Sequence, residues 1–189
     1  MLGKGHKMKH SLVTIAIMIA LASTASASVE TGDLDLNFGF SFQSEDGANG
    51  AGDRDATDLE LGVDYFVTNR ISLGIGVGYY DADQSSSAAK NTRTENTWSL
   101  RIKYYILKRE RLLPYVGFAY KFYKVETETN LGTTDRDDTG TTFMAGLRYA
   151  ITKNNAAYLE LQLNNYGDDW PSNVDGGSKI VLGLIHQLN

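Results

Sequence analysis

The sequence predicts an all-β protein, an eight-stranded antiparallel up-and-down transmembrane β-barrel, preceded by a cleavable signal peptide. Three observations support this prediction. Large apolar residues recur at every second position along eight segments, long and short connections alternate between those segments, and the first 27 residues have the composition of an export signal.

The composition limits the classes of function. The chain has 189 residues, no cysteine, 18 Lys+Arg and 23 Asp+Glu. The lack of cysteine excludes a disulfide framework, a thiolate metal site and a cysteine nucleophile. The acidic balance disfavours nucleic-acid binding, and a mean hydropathy below zero excludes a multi-helix membrane protein.

The N-terminal segment predicts export. Three lysines precede an apolar run over residues 11–22, and the sequence Ala-Ser-Ala follows at 25–27. This order is typical of a secretory signal peptide, and the run of about a dozen residues is shorter than the ~20 that span a bilayer. We therefore expect residues 1–27 to be a removed signal peptide and residues 28–189 to form the barrel domain.

In the first four predicted strands, residues 33–42, 58–67, 71–79 and 98–106, every second side chain is large and apolar. Most of the alternate positions hold glycine, small polar or charged residues, as Asp35 does in the first strand. A period of two is that of a strand with one apolar face.

The last four predicted strands, residues 116–122, 142–151, 159–164 and 179–188, repeat this pattern. Ile185 is the exception, because it breaks the alternation of the eighth strand. No segment after residue 27 has a helical period, so we expect eight consecutive strands.

The connections between the predicted strands differ in length. Long polar connections are expected at 44–55, 81–95, 126–138 and 167–177, and short turns at 68–70, 107–113 and 152–156. Long loops on one rim and short turns on the other are typical of an outer-membrane barrel.

The number of large apolar side chains predicts which face points outward. The strands carry about 35 of them, whereas the interior of a comparable closed barrel holds about twelve side chains in three layers. The apolar face must then point outward, where only lipid accommodates a band of that size. A soluble β-sandwich stays as the alternative, because its two inner faces can bury as many side chains.

Two further patterns favour the barrel over the sandwich. Glycines recur on the polar face, where a narrow lumen needs room for long side chains of neighbouring strands. Aromatic residues lie near the strand ends, as in the girdles at membrane interfaces. One rim is predicted to carry Tyr65, Tyr104, Tyr115, Tyr149 and Tyr158, and the other Tyr79, Tyr80, Tyr123, Tyr166 and Trp98.

The segments YFVTNRISLG at 65–74 and LPYVG at 113–117 resemble hairpins of small outer-membrane β-barrel proteins, namely the opacity-type proteins and the transmembrane domain of outer-membrane protein A. The resemblance implies a location in the outer membrane of a Gram-negative bacterium, surrounded by lipid and lipopolysaccharide. It also implies recognition of residues 182–188 by the outer-membrane insertion machinery, although the usual terminal aromatic residue is replaced by Leu188 and Asn189.

Ionised residues on the polar face are expected to pair inside the lumen, because an unpaired buried charge is very costly. The candidate network consists of Asp35, Asp58, Glu60, Asp64, Arg101, Lys103, Lys121, Arg148, Glu160 and Lys179. Within it we expect Arg148 to bridge Glu160 on the adjacent strand and Asp64 across the lumen.

These features predict a non-enzymatic integral outer-membrane barrel with a structural or surface-interaction role and a lumen closed by the charged network. A narrow porin-like channel for ions or small solutes is the first alternative. A lipid A-modifying enzyme is a distant one, because His186 has no identifiable hydroxyl and acid partners. We expect no cofactor, no metal site and no nucleic-acid partner, a monomer, and acidic loops as the place where a surface ligand or divalent cations would bind.

Overall fold

The computed structural model describes residues 29–45, 53–85, 90–106, 111–129, 132–166 and 177–188. Within these ranges all regular secondary structure is β-strand. The strands are β1 (Leu34–Glu45), β2 (Asp53–Phe66), β3 (Ile71–Ser85), β4 (Lys90–Tyr105), β5 (Leu112–Thr129), β6 (Gly132–Ala150), β7 (Asn155–Tyr166) and β8 (Gly177–Leu188).

The eight strands form one closed antiparallel barrel. Each strand pairs with the next in the chain, and β8 returns to β1 with Leu188 opposite Leu34. The predicted all-β class and up-and-down barrel are confirmed, and the β-sandwich alternative is wrong. Among the described residues, no helix is long and apolar enough to cross a membrane.

The apolar face of the barrel points outward, as the side-chain volumes predict. Trp98 and Phe143 are 66% and 61% exposed, whereas Asp64 and Arg148 at alternate positions of the wall are buried. Successive side chains of a strand point to opposite faces, so one face meets the surroundings and the other fills the lumen. Ile185, which breaks the alternation, is buried inside the barrel.

The two ends of the barrel have different connections. We call the end with the connections 67–70, 106–111 and 151–154 the turn end, and the opposite end the loop end. Residues 29–33, which precede β1, also lie at the turn end, where Gly32 N donates a hydrogen bond to the Phe66 carbonyl oxygen.

Two of the four predicted long connections are mostly strand. β3 continues to Ser85 and β5 to Thr129, and each is still paired with the following strand there. The predicted loops at 81–95 and 126–138 are therefore wrong in extent. The backbone hydrogen bonds of a ladder do not require apolar side chains, so the strands continue beyond the end of the apolar alternation.

The predicted aromatic girdle is only partly correct. The outward-facing members include Tyr65, Tyr79, Trp98 and Tyr104. The members that are buried inside the barrel are Tyr115, Tyr123 and Tyr158. The prediction used distance from the strand end and ignored the alternation: Tyr115 precedes the outward-facing Val116 and therefore points into the lumen.

Several sequence predictions fall outside the described residues. They concern the signal peptide at 1–27, residues 46–52, 86–89, 130–131 and 167–176 of the predicted loops, residues 107–110 of a predicted turn, and the side chain of Tyr166.

Candidate functional site in the barrel lumen

The ten candidate residues lie on the inner face of every strand except β3. The inner face of β3 carries glycines instead, and the side chain of Arg101 crosses this open part of the wall. Its guanidinium donates a hydrogen bond of 3.1 Å to the carbonyl oxygen of Ile75. A Cβ atom at Gly62, on the neighbouring strand β2, would overlap the guanidinium. Glycine therefore makes room for the long cation, as the sequence pattern predicts.

The first group of lumen residues surrounds Arg148 near the turn end. Its guanidinium pairs with the carboxylate of Asp35, and both side chains are almost completely buried. The Nη2 group of Arg148 also donates a hydrogen bond of 2.6 Å to Gln187 Oε1. Gln187 Nε2 donates in turn to Asp33 Oδ2 at 2.6 Å. The four side chains form a continuous hydrogen-bonded row across the lumen.

The predicted partners of Arg148 are wrong. In the β6–β7 ladder, Arg148 lies opposite Tyr158, whereas Glu160 lies opposite Gly146. Glu160 is thereby displaced by two positions toward the loop end, and Asp35 on β1 is the carboxylate that Arg148 reaches across the lumen. Strand height alone did not fix this choice, since it requires the register of the ladder.

The second group is centred on the buried carboxylate of Asp64. Lys103 Nζ lies 2.9 Å from Asp64 Oδ2, and Arg101 Nη2 lies 3.2 Å from Asp64 Oδ1. Asn37 Nδ2 adds a hydrogen bond of 3.0 Å to Oδ2. One acid is thus held between two cations and an amide donor, which offsets the cost of removing it from water.

The third group lies further toward the loop end. Lys179 pairs with Asp58, and its Nζ lies 2.6 Å from Glu60 Oε1. Lys121 Nζ is 3.8 Å from Glu60 Oε1 and donates to Gln162 Oε1 at 3.1 Å. Two acids and two cations therefore share one part of the lumen.

Glu160 is stabilised by uncharged donors. Tyr115 Oη donates a hydrogen bond of 2.7 Å to Glu160 Oε2, and Gln162 Nε2 donates one of 2.7 Å to Oε1. Gln162 Nε2 also lies 3.2 Å from Glu60 Oε2, so the amide connects Glu160 with the third group.

Sequence reasoning missed the neutral members of the network. Each forms a hydrogen bond with a candidate residue, and they are Asn37, Tyr115, Gln162, Asn164 and Gln187. The signal was present, because each lies on the polar parity of its strand. The candidate set was limited to ionised residues and therefore omitted them.

The lumen has the chemistry of a packed set of ion pairs. Each of its five candidate cations has a carboxylate oxygen within 4.0 Å, which includes the short contacts of Arg148 and Lys179. Such pairing and hydrogen bonding is what permits charges to be buried. In the part of the chain that the structure describes, no group of three or more histidine, aspartate or glutamate side chains is arranged to hold a metal ion.

His186 lies apart from this network, on the outer face at the turn end. Its Nδ1 atom is 2.9 Å from Asn155 Oδ1, and the side chain is exposed. An amide partner fixes the orientation of the ring but does not create a nucleophile.

A closed antiparallel barrel with an apolar outer wall and ion pairs inside is a transmembrane β-barrel. The chain belongs to the family described as the outer membrane protein beta-barrel domain, whose model matches residues 13–184. It is therefore an outer-membrane barrel protein. A comparison with curated protein sequences finds no match.

Solved structures of the same fold include three bacterial barrels. The N-terminal barrel domain of OprF from Pseudomonas aeruginosa is 19% identical, with a TM-score of 0.58 over 84% of this chain and 98% of that one. Ail, the attachment invasion locus protein of Yersinia pestis, is 14% identical, with a TM-score of 0.58 over 83% and 99%. OprG from Pseudomonas aeruginosa is 14% identical, with a TM-score of 0.54 over 87% and 98%. These likenesses concern the fold alone.

Proposed function

We propose that this protein is a non-enzymatic outer-membrane barrel with a structural or surface-interaction role, whose lumen is closed by the charged network. The proposal rests on one observation, the pairing of all five candidate lumen cations with carboxylates. A conducting path would have to break or bypass these pairs in a barrel of eight strands, which is just wide enough for side chains to fill.

Recordings from the purified protein in planar bilayers test the closed lumen. We expect no stable conductance steps from barrels whose folded state is verified by a difference in electrophoretic mobility between unheated and heated samples. Stable steps that scale with salt concentration would overturn the closed lumen and support the alternative of a narrow porin-like channel. An established porin inserted by the same procedure is the positive control.

The orientation of the barrel supports a non-enzymatic role. At the turn end the strands stop close to the apolar band, whereas at the loop end β3 and β5 continue through polar sequence to Ser85 and Thr129. Short turns are typical of the periplasmic rim and longer protruding segments of the outer rim, so we place the turn end in the periplasm and the loop end at the cell surface. His186 then lies on the side opposite to the outer leaflet that contains lipid A. Mass analysis of lipid A from cells with and without the protein is expected to give identical spectra, and a new mass in the presence of the protein would overturn the non-enzymatic role.

The loop end is the surface that we propose for interactions. Glu126 and Asp135 lie directly opposite each other in the β5–β6 ladder, and both side chains are exposed, as are those of Glu128 and Asp137. Ail has been crystallised with the heparin analogue sucrose octasulfate, a polyanion. Because like charges repel, we expect this acidic surface to bind cations or positively charged partners instead.

Export and assembly complete the proposal. Residues 1–27 would direct secretion and be removed, and the insertion machinery would recognise the last strand, as the family resemblance implies. We propose a monomer surrounded by lipid and lipopolysaccharide. N-terminal sequencing of protein from the outer membrane is expected to begin at Ser28, and a start upstream of this position would overturn the cleavage site.

A further inference from the structure

The turn end contains an apolar cluster that the ion-pair network does not explain. Val29, Phe66, Tyr105, Leu113 and Tyr115 pack together, and each is at most 2% exposed. The rings of Phe66 and Tyr105 lie 5.3 Å apart, as do those of Tyr105 and Tyr115. The rest of the inner face near this end is partly ionic, around Arg148 and Asp35, and partly apolar, where Ala156 and Ile185 belong to a second buried cluster. The first cluster is distinct because one of its members comes from outside the strands.

Val29 differs from the other members because it does not belong to the barrel wall. The wall strands begin with β1 at Leu34, so Val29 reaches the cluster from a segment that precedes the barrel. Val29 is 1% exposed although it lies outside any strand, so its branched aliphatic side chain is inserted into the mouth of the lumen.

A tight turn directs Val29 into the mouth. Asp33 N donates a hydrogen bond of 3.3 Å to the carbonyl oxygen of Glu30, and Gly32 between them has a φ of 97°. A positive φ at the third residue of a turn favours glycine, since side chains strain this conformation. The turn reverses the chain just before β1.

The turn is fastened to the barrel at three points. Gly32 N donates to the Phe66 carbonyl oxygen at 2.8 Å, and Phe66 N donates to the Asp33 carbonyl oxygen at 2.9 Å. The Asp33 carboxylate accepts hydrogen bonds from Glu30 N at 2.7 Å and from Gln187 Nε2 at 2.6 Å. The segment is therefore part of the folded wall and of the first group of lumen residues.

The apolar cluster also covers the second group. Lys103 Nζ lies 5.2 Å from the centroid of the Tyr115 ring, a distance at which the face of the ring attracts a cation. Phe66 and Tyr105 lie two positions nearer the turn end than Asp64 and Lys103 on the same strands, so the cluster is on the turn-end side of this ion pair. Exclusion of water strengthens the ion pairs behind the cluster.

We propose that residues 29–33 form an N-terminal plug, in which Val29 seals the periplasmic mouth of the lumen against water. This inference deepens the proposed closed lumen and uses its orientation. The plug is formed by the segment before the barrel, whereas the ion pairs of the lumen are contributed by the strands.

A buried thiol reports whether the mouth is sealed. The chain has no cysteine, so one engineered cysteine gives a clean signal. Ser72 lies opposite Phe66 in the β2–β3 ladder and is 1% exposed. Its hydroxyl has no hydrogen-bond partner among the described residues, so the Ser72→Cys change sacrifices no hydrogen bond. The measurement is the rate at which a charged methanethiosulfonate reagent labels the folded protein.

We expect slow labelling of Ser72→Cys alone and labelling faster by about tenfold or more when Val29→Asp is added, because the carboxylate is expelled from the apolar cluster and the mouth opens locally. Gly32→Val, which strains the turn without touching the cluster, is expected to act in the same direction. The conservative change Val29→Ile should leave the rate low.

Two controls test whether the change in labelling rate is confined to the mouth of the lumen. Gly132→Val introduces a side chain at a second glycine of positive φ among the described residues, where β6 begins at the loop end, and should not change the labelling rate. A cysteine at the exposed turn residue Lys153 should react equally fast with and without Val29→Asp.

The failure of the plug is distinguishable from the failure of the closed lumen. Fast labelling of Ser72→Cys in the otherwise unchanged protein would overturn the plug, as would equal labelling rates with and without Val29→Asp. Either result would do so even if the bilayer recordings show no conductance. Conductance steps from the unchanged protein would overturn the closed lumen, and the labelling rates would then still decide whether Val29 covers the mouth. If Val29→Asp does not fold, the labelling rate of Ser72→Cys with and without Gly32→Val decides the same question.

Discussion

Replacement of Arg148 by alanine is the sharpest test of the lumen network. The guanidinium is almost completely buried and pairs with Asp35, and it also holds the side chain of Gln187. Its removal leaves the Asp35 carboxylate buried without its cation, which costs about 3–5 kcal/mol in comparable buried pairs. We expect the free energy of unfolding to fall by that amount.

Reversible urea unfolding in lipid vesicles measures this change, with the fluorescence of lipid-exposed Trp98 among the signals. Arg136→Ala is the comparison variant, because Arg136 also pairs with an aspartate, Asp138, at 3.4 Å, but its own side chain is 35% exposed and only that of Asp138, at 5%, is buried. Because water reaches the Arg136 guanidinium, we expect a loss between the ~0–1 kcal/mol of an exposed pair and the ~3–5 kcal/mol of a fully buried one. Equal losses for Arg148→Ala and Arg136→Ala would refute the reasoning, since burial would then not govern the cost.

Five further substitutions, two of them controls, test the wall and the lumen by the same unfolding measurement. Gly183→Ala should cost roughly 1–3 kcal/mol, because its Cβ would overlap backbone and a tyrosine ring; Gly78→Ala, with its nearest neighbour at 3.5 Å, should change stability by less than about 0.5 kcal/mol. Ile102→Arg in the outward apolar band should cost about 2–4 kcal/mol, whereas Thr94→Arg, nearer the loop end of the same strand, should cost about 0–1. Tyr115→Phe should cost about 1–3 kcal/mol, because its buried carboxylate partner loses a donor. Losses independent of position within each comparison would contradict these expectations.

Much of the fold could be predicted because lipid imposes a simple rule on each strand. The outer face must be apolar and the inner face is mostly polar, so alternation identified the strands and most of the lumen residues together. This rule applies only to the part of each strand that lipid surrounds. β3 and β5 continue through polar sequence to Ser85 and Thr129, and no hydrophobic signal marks this part of a ladder.

The candidate site was predictable as a set of residues and not as a set of pairs. Alternation placed Arg148 and several acids in the lumen, but the choice among Asp35, Asp64 and Glu160 depends on register and on the direction of a long side chain. Both are properties of the closed barrel. The plug has a similar origin, because Val29 lies in no periodic segment and its burial follows from a turn at Gly32.

The pairing of Leu34 with Leu188 has a consequence for biosynthesis. β1 leaves the ribosome first among the strands, yet one of its two neighbours is the eighth, so its second edge waits unpaired until β8 has been made. An unpaired strand edge invites association with other chains, and long-range pairing of this kind is slow. The topology therefore requires that the nascent polypeptide be shielded in transit and that the ring be completed only after translation of β8.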